Sequence, residues 1–442
     1  MARPKANKFP EVAPLKNTPR KPTKDNKKSE KKTTSAPRRK EQQQRSQAES
    51  TDDTQDSNQI DISATIPLNL QQLLLNVFKY ALLFNKHHDH DQYPNHEGSG
   101  EQELDTKSLI QTIKSHLYNR DFDSAFADAD ERLLRAYALR WSAARALGYA
   151  GLFKSLLKVL VGEEGASDSA FGDDSGTGIG PTRAVCVGGG AGAEIVALAA
   201  AWRDLVDEGC IPGSESAAGL EGALAGVSLD DKHDDAKDGQ EEGEQKASQS
   251  TSSPSLSIKA IDIADWSAVV KRLSSTISLS SVPSPKSHSA PLLHLQQQPT
   301  FAVDFQRLDV LSLSDTDLTS LFPPSQPQVP NQKTILSLMF TLNELFTTSM
   351  ARATLFLLRT TDLLCPGTIL LVVDSPGSYS TLKLKKEGGE MQERQYPMKF
   401  LLDHTLLSVA RGKWEKVYGQ ESRWWRRDAS NLRYEVGEGA GL

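Results

Sequence analysis

The chain has 442 residues, with 51 Lys and Arg against 57 Asp and Glu and a formal net charge of −6. Its three cysteines, Cys186, Cys210 and Cys365, form no CxxC pair, so the sequence predicts neither a disulfide framework nor a structural zinc site. No apolar run approaches the roughly 20 residues that span a bilayer, and the N-terminus lacks the apolar segment of a signal peptide. We therefore expect a protein of a reducing compartment without a membrane anchor.

The charge is unevenly distributed along the chain. Residues 1–50 carry 15 basic and 5 acidic side chains, which leaves 36 basic and 52 acidic side chains in the remainder. Because this stretch is almost free of apolar residues, we expect a disordered basic tail over residues 1–60. A tail of this kind either directs a protein to the nucleus or binds polyanions such as RNA; a solvated tail without a partner is the alternative.

A helical N-terminal region is predicted over residues 61–165. Apolar residues recur at helical spacing in three segments, 68–84, 108–126 and 130–160. Between the first two lies "NKHHDHDQYPNH" (85–96), with four histidines, His87, His88, His90 and His96. Since no second cluster of ligating residues accompanies them, we expect a solvated loop there and no metal site.

Strands and helices are predicted to alternate from residue 180 to residue 436, which indicates an α/β fold with a doubly wound parallel sheet. The predicted strands are 183–187, 257–262, 302–308, 334–340 and 368–374, and the predicted helices are 192–207, 265–273 and 344–364. Two polar stretches, 209–256 and 274–299, are predicted to be disordered insertions. The last part is expected to contain a helix over 398–410 and a final strand pair around 422–428 and 431–436.

A glycine-rich turn follows the first predicted strand in "VCVGGGAGAE" (185–194). Its four glycines, Gly188, Gly189, Gly190 and Gly192, satisfy the pattern G-x-G-x-x-A, and Glu194 stands in the helix that follows. Glycines allow the backbone to bend and a ligand to approach the amide donors at the helix start. NAD enzymes and methyltransferases share this device, so the turn alone leaves both classes open.

Polar residues end the next three strands and favour the methyltransferase class. Asp262 could accept hydrogen bonds from two ribose hydroxyls, although an NAD site would want that acid about 20 residues after the glycines rather than about 70. Asp309 and Val310 could contact an adenine amine and ring, and Asn343 and Glu344 follow the fourth strand. Alternatively, Asp262 and Asp265 cap the following helix, and Asn343 and Glu344 belong to a helix N-terminus.

The sequence resembles the fungal 25S ribosomal RNA uridine-N3 methyltransferase family, whose members depend on S-adenosylmethionine (SAM). The resemblance rests on "LYNRDFDSAF" (117–126), "AYALRWSAARALGYA" (136–150), "VCVGGGAGAE", "IDIADW" (261–266), "FTLNELFT" (340–347), "CPGTILLVVDSPGSYS" (365–380) and "YPMKFLLDHTLL" (396–407). It implies a Rossmann-like class I methyltransferase sheet and methylation of one large-subunit rRNA uridine in the nucleolus. It also implies a SAM pocket at Gly188, Gly190, Glu194, Asp262 and Asp309, with Asn343 and Glu344 after the fourth strand. We expect a monomer that acts on pre-ribosomal particles.

Uridine N3 carries a proton that must leave before or during methyl transfer, and a nearby carboxylate or neutral His could accept it; alternatively, much of the acceleration comes from positioning alone. Glu344 is the first candidate for the proton acceptor, with Asp374 and His404 behind it. For RNA contact, the stretch 411–428 interleaves basic residues with Trp414, Tyr418, Trp424 and Trp425, unless these rings form the core of a hairpin. Arg120 and Arg140 either line the substrate entrance or pair with helix ends.

Two other functions are compatible with the glycine turn. A nicotinamide-dependent oxidoreductase would need a separate catalytic domain, and the chain after residue 380 is too short for one. A non-catalytic ribosome-assembly factor could keep a methyltransferase-like fold without the reaction. The unbroken series of candidate pocket residues from Gly188 to Asp309 favours the enzyme over the scaffold.

Overall fold

The computed structural model describes ten stretches of the chain: 63–83, 104–119, 121–162, 181–211, 255–294, 300–323, 332–375, 379–385, 391–423 and 425–436. All of them belong to one compact unit, Asn58–Leu442. Several predictions fall outside these stretches, namely the basic tail, the histidine-rich loop, residues 212–254 of the first insertion, Arg120 and Trp424. Among the residues that are described, no helix has the length and hydrophobicity needed to cross a membrane.

The N-terminal region forms helices where the periodicity predicts them. Asp105 and Asp130 cap the second and third helices by accepting hydrogen bonds from Ser108 N (3.1 Å) and Leu133 N (2.7 Å), which satisfies backbone donors in each first turn. A π-helical turn, Ala138–Ser142, connects the third helix to the fourth, and another spans Asp123–Ala127. The helices are α1 Leu68–Leu83, α2 Thr106–Tyr118, α3 Glu131–Tyr137 and α4 Ala143–Gly162.

Five parallel strands form the central sheet in the order β3-β2-β1-β4-β5. They are β1 Thr182–Val187, β2 Ser255–Asp262, β3 Thr300–Arg307, β4 Lys333–Met339 and β5 Ile369–Val373, and the helices that follow the first four are α5 Ala193–Asp207, α6 Ser267–Ile277, α7 Asp315–Leu321 and α8 Leu342–Leu363. This arrangement confirms the predicted Rossmann-like α/β fold. The strand order reverses between β1 and β4, and ligands of such sheets bind at the carboxyl ends beside that switch point.

Both faces of the sheet are covered, and the N-terminal helices cover one of them. Ala184 and Cys186 of β1 belong to a core shared with α1, α4 and α5, while Val185 and Val187 belong to a second core with α7 and α8. This alternation is the period-two pattern of a strand buried on both sides. The helical region is therefore built into the sheet's own core.

The second predicted insertion, 274–299, differs from its expectation over residues 274–294. Helix α6 continues to Ile277, and Val282, Leu292 and Leu293 beyond it are buried. Polar bonds tie this segment to α1, among them Asn69 Nδ2 to Ser287 Oγ at 2.6 Å. Disorder was predicted from the Ser- and Pro-rich composition. Composition alone does not show that a neighbouring helix can cover three apolar side chains of this segment.

The strand pair predicted near the C-terminus lies earlier in the chain. An antiparallel pair is formed by β6 Tyr379–Lys385 and β7 Met391–Pro397, followed by α9 Met398–Asp403 and a π-helical turn, His404–Val409. Residues 425–436 contain no strand and contact the N-terminal helices instead: Tyr434 Oη donates to Leu139 O at 2.6 Å. Alternating aromatic and charged residues there resemble a strand, but their partners are helices.

Candidate active site

The glycine turn joins β1 to α5 at the carboxyl edge of the sheet. Gly188 and Gly192 have φ angles of +78° and +83°, a region that side chains with a Cβ rarely adopt. Gly188 N donates to Ile261 O at 2.8 Å, and a Cβ on Gly188 would lie 2.1 Å from Thr341 Oγ1. The turn is thus held against the ends of β2 and β4, where only glycine fits.

Asp262 lies directly against this turn. Gly190 N donates to Asp262 Oδ2 at 3.2 Å, and Ala264 N donates to Asp262 Oδ1 at 3.1 Å. Burial raises the pKa of Asp262 to about 6, although the backbone donors, including those two, work in the opposite direction. The helix-cap alternative applies to Asp265, which accepts from Ser267 N at 3.1 Å, and not to Asp262.

Glu194 is the most deeply buried carboxyl group of the site, with 3% of its surface exposed. Desolvation is the main reason that its pKa is raised to about 8, and the charge of Asp262 adds to the rise while Arg145 opposes it. Among the described residues, Glu194 Oε1 has no hydrogen-bond partner. A buried oxygen of this kind normally has a partner, so Glu194 is suited to accept from a bound ligand.

Asn343 and Glu344 occupy the first turn of α8, which begins at Leu342. The helix-terminus alternative is therefore correct about their position, and the turn also delivers them to the carboxyl edge of the sheet. Asn343 N donates to Asp374 Oδ2 at 2.9 Å, and Asn343 Oδ1 is buried without a partner in the described part of the chain. Burial raises the pKa of Asp374 above its ordinary value.

Glu344 combines access to solvent with a raised pKa. The residue is exposed, yet enough of the protein surrounds its carboxyl group for desolvation to be the largest influence on its pKa. Desolvation, followed by the charges of Asp262 and Asp374, raises this pKa to about 7, and Arg145 acts in the opposite direction. A carboxyl group with a pKa near neutrality can accept a proton at physiological pH and return it to water.

Asp309 and Val310 follow β3 next to the end of β2, where Leu308 N donates to Asp262 O at 2.8 Å. The Asp309 carboxylate accepts from two groups of its own loop, Leu311 N at 3.0 Å and Ser312 Oγ at 2.7 Å, and Val310 is buried. These bonds fix the loop shape. Contact of this pair with an adenine remains a prediction.

His404 contacts an aromatic ring rather than the carboxylates. It is exposed in the π-helical turn after α9, where its ring stacks on Phe400 with centroids 6.0 Å apart. Phe400 in turn stacks on Tyr396 at 5.8 Å. Among the described residues, no hydrogen bond or ion pair joins His404 to Glu344 or Asp374, so the structure gives no support to His404 as the base.

The aromatic residues of 411–428 are partly structural. Trp425 lies against Gly148 of α4, where an added Cβ would be 2.8 Å from Trp425 Cγ, and Trp414 Nε1 donates to Thr361 Oγ1 at 2.9 Å. Tyr418 is 45% exposed. The guanidinium of Arg140 lies 5.7 Å from the ring of Trp141. Trp414 and Trp425 therefore pack against helices and not in the core of a hairpin, and Tyr418 remains a candidate for RNA contact.

Sequence reasoning missed three residues that meet at this edge: Arg145 and Tyr149 of α4, and Phe340 at the end of β4. Arg145 lowers the pKa of both Glu194 and Glu344, while burial, followed by the charge of Glu194, raises the pKa of Tyr149. One signal was present, since Arg145 interrupts the apolar run "SAARALGYAGLF". A charged residue on a buried helix face usually has a partner or a function.

Comparison with known proteins identifies the class that this fold and site define. The model of the family described as "Putative SAM-dependent methyltransferase" matches residues 89–438, and the chain belongs to that family. Its predicted class and its cofactor, SAM, are thereby confirmed, and the nicotinamide oxidoreductase alternative is set aside. A curated relative in Saccharomyces cerevisiae (strain ATCC 204508 / S288c) is the "25S rRNA (uridine(2843)-N(3))-methyltransferase", 28% identical over 376 residues, which cover 83% of this chain and 81% of the relative. No solved structure matches the chain significantly.

The residues at the carboxyl edge fit SAM. The backbone of Gly188 to Gly192 provides the close approach that a nucleoside needs, and Asp262 has acceptor capacity beside it. The unpartnered Glu194 Oε1 and Asn343 Oδ1 are acceptors suited to ammonium and hydroxyl donors. Among the described residues, no group of three or more His, Cys, Asp or Glu side chains could hold a metal ion.

Proposed function

We propose that this chain methylates N3 of a uridine in large-subunit ribosomal RNA, with SAM as methyl donor. The observation that carries the proposal is the position of Glu344: an open carboxyl group with a pKa of about 7, at the same sheet edge as the glycine turn and Asp262. The similarity to the yeast uridine-N3 methyltransferase supports the same substrate class.

The chemistry assigns a task to each group. SAM, when bound, supplies an electrophilic methyl group on a sulfonium. N3 lies on the Watson–Crick edge of uracil, so the target base must be unpaired and turned out of its stack before N3 can enter the site. Glu344 accepts the N3 proton, and Asp374 orients the first turn of α8 through its bond with Asn343 N. The glycine turn, Asp262 and Glu194 position the donor, which lowers the barrier by proximity.

We further propose that the protein works as a monomer on pre-ribosomal particles in the nucleolus. The basic character of residues 1–50 supports nuclear import and sequence-independent affinity for RNA. The exposed Tyr418 supports stacking on an unpaired base outside the catalytic edge.

The test is mass spectrometry of nucleosides from purified large-subunit rRNA in cells with and without the gene. Loss of one N3-methyluridine without the gene, and its return with the wild type but not with Asp262→Ala, supports both product and pocket. Asp265→Ala is the matched control, because Asp265 is a neighbouring carboxylate that accepts its described hydrogen bond from Ser267 N at the start of α6, whereas Asp262 accepts from Gly190 N of the glycine turn.

Other outcomes separate the alternatives. If N3-methyluridine persists and a different methylated nucleoside disappears, the substrate assignment is wrong and the class stands. If no methylated nucleoside changes while Asp262→Ala rescues growth or ribosome assembly, the protein acts as a non-catalytic assembly factor.

A further inference from the structure

Arg145 reaches the carboxyl edge of the sheet from the N-terminal helical region. Its Nη1 donates to Tyr137 Oη at 2.9 Å, and its Cζ lies 5.9 Å from the Tyr137 ring centroid. On the other side, the same Cζ lies 5.0 Å from the ring of Phe340. Two aromatic rings from different parts of the chain therefore hold the guanidinium by cation–π contact.

Phe340 has an unusual backbone. Its φ is +60°, and it is the one non-glycine residue with positive φ in the described part of the chain. For a bulky residue this left-handed conformation is strained, and such strain gathers at functional sites. Phe340 N donates to Val373 O at 2.7 Å, so the turn is fixed just before Asn343 and Glu344. The left-handed turn thus positions the Phe340 ring that contacts the Arg145 guanidinium.

Most N–H donors of Arg145 have no partner among the residues that the structure describes. A guanidinium has five N–H donors, and within the described residues Arg145 makes one side-chain hydrogen bond, that to Tyr137. Its charge acts on Glu194 and Glu344, yet no ion pair within 4.0 Å joins it to either of these carboxylates. A positively charged group with free donors therefore stands among the acids of the site.

The proposed reaction needs such a group. When N3 of uridine loses its proton, the negative charge spreads over N3, O2 and O4. The four carboxyl groups of the site, Glu194, Asp262, Glu344 and Asp374, repel that charge whenever they are ionised. A fixed cation directed at the imide oxygens offsets this repulsion and stabilises charge where it develops.

We propose that Arg145 donates hydrogen bonds to an imide oxygen of the target uracil and stabilises the N3 anion during methyl transfer. This inference rests on the proposed function. In the step, the N3–H bond breaks and its proton goes to Glu344, the N3–CH3 bond forms, and the electron pair of the broken C–S bond stays on sulfur as a neutral thioether.

The experiment compares Arg145→Met and Arg145→Lys with the wild type in single-turnover methylation at saturating SAM. Two large-subunit rRNA transcripts are used, one made with uridine and one with 5-fluorouridine, whose N3 is more acidic and needs less stabilisation. We expect Arg145→Met to lose 100-fold to 1,000-fold in rate on the uridine transcript, about the effect of removing one oxyanion donor. On 5-fluorouridine RNA the loss should shrink at least tenfold.

Three further measurements make the test specific. Arg145→Lys keeps a positive charge and should retain part of the methylation rate. This variant keeps the proposal testable if Arg145→Met fails to fold. SAM affinity, measured by calorimetry without RNA, should change less than threefold in both variants. Arg203→Met is the matched control: Arg203 is a half-buried arginine of α5 that pairs with Asp207 at 2.8 Å and donates to Pro291 O at 3.1 Å, and its loss should leave both transcripts methylated as by the wild type.

Several results would overturn the proposal. An equal loss on both transcripts would make Arg145 a structural residue. A loss of SAM affinity of tenfold or more, with a normal rate at saturating SAM, would mean that the guanidinium holds the carboxylate of SAM and not the base. If the wild type forms no N3-methyluridine on either transcript, the proposed function fails and this inference fails with it.

Discussion

Glu344 illustrates how one residue acquires its chemistry from position. It lies in the first turn of α8, and both desolvation and neighbouring acids raise its pKa to about 7. As a base it must be ionised, so the single-turnover rate should rise with pH below about 7 and level off above it. Glu344→Gln should lower the plateau by 100-fold to 10,000-fold and remove the break near pH 7, as measured by a pH–rate profile between pH 5.5 and 9.

Two variants serve as controls for that profile. His404→Gln should leave both plateau and break unchanged, because His404 stacks on Phe400 and, among the described residues, makes no hydrogen bond or ion pair with Glu344 or Asp374. Asp374→Asn should lower the rate while keeping the break, since Asp374 acts through Asn343 N. A break that persists in Glu344→Gln and disappears in Asp374→Asn would assign the base to Asp374.

At the scale of elements, the C-terminal segment 425–436 holds the N-terminal helices. Tyr434 Oη donates to Leu139 O at 2.6 Å, and Arg433 N donates to Gln72 Oε1 at 2.8 Å. Trp425 covers Gly148, leaving no room for a Cβ. Since Arg145 and Tyr149 stand beside Gly148 on α4, this packing also bears on the geometry of the site.

The packing of Trp425 on Gly148 predicts that the effect of Gly148→Ala on the free energy of unfolding has opposite signs with and without the Trp425 side chain. In the wild-type background, Gly148→Ala should lower the free energy of unfolding by about 1–2 kcal/mol, because overpacking outweighs the gain in helix propensity. In a Trp425→Ala background the clash is absent, and the same substitution should raise the free energy of unfolding by about 1 kcal/mol. Denaturant unfolding of the four proteins measures this cycle, and equal effects in both backgrounds would contradict direct packing of the two residues.

At the scale of the whole molecule, we expect the basic residues near the N-terminus to contribute much of the electrostatic attraction to RNA. Residues 1–50 contribute 15 of the 51 Lys and Arg, and the remainder of the chain is acidic. Deleting residues 2–57 should make the dependence of RNA affinity on salt less steep, by about 0.7–0.9 in log–log slope for each phosphate that the protein no longer neutralises. The rate at saturating RNA should stay the same.

A finer comparison separates charge from length. Replacing Lys27, Lys28, Lys31 and Lys32 with Gln keeps the length and should reduce the slope by at most about 3.6, the value for four phosphates. Filter binding between 50 mM and 200 mM salt gives both slopes. An unchanged slope after the deletion would show that the folded part of the chain binds the phosphates.

The five strands of the central sheet, helices α5, α6 and α8 and the position of the glycine turn could be predicted from sequence, because period-two and period-3.6 patterns and glycine chemistry are local. Helix α7 and the pair β6–β7 were not predicted. The family resemblance, carried by motifs such as "VCVGGGAGAE", predicted the class and cofactor that the family match confirmed. Local patterns also placed Asp262 and Glu344 at strand ends. The same local patterns predicted the wrong structure for 274–294 and 425–436, because the residues that these segments contact lie more than 200 residues away in the chain.

The tertiary structure alone decided which groups face one another at the carboxyl edge. The packing of α4 against α5 brings Arg145 within electrostatic range of Glu344 and into contact with the ring of Phe340. Phe340 itself lies in a left-handed turn that no sequence pattern predicts. The raised pKa values of Glu194 and Glu344 arise from burial and from neighbouring charges, which exist only once the chain is folded. The residue types were readable in the sequence, but their proton affinities depend on distances that the fold creates.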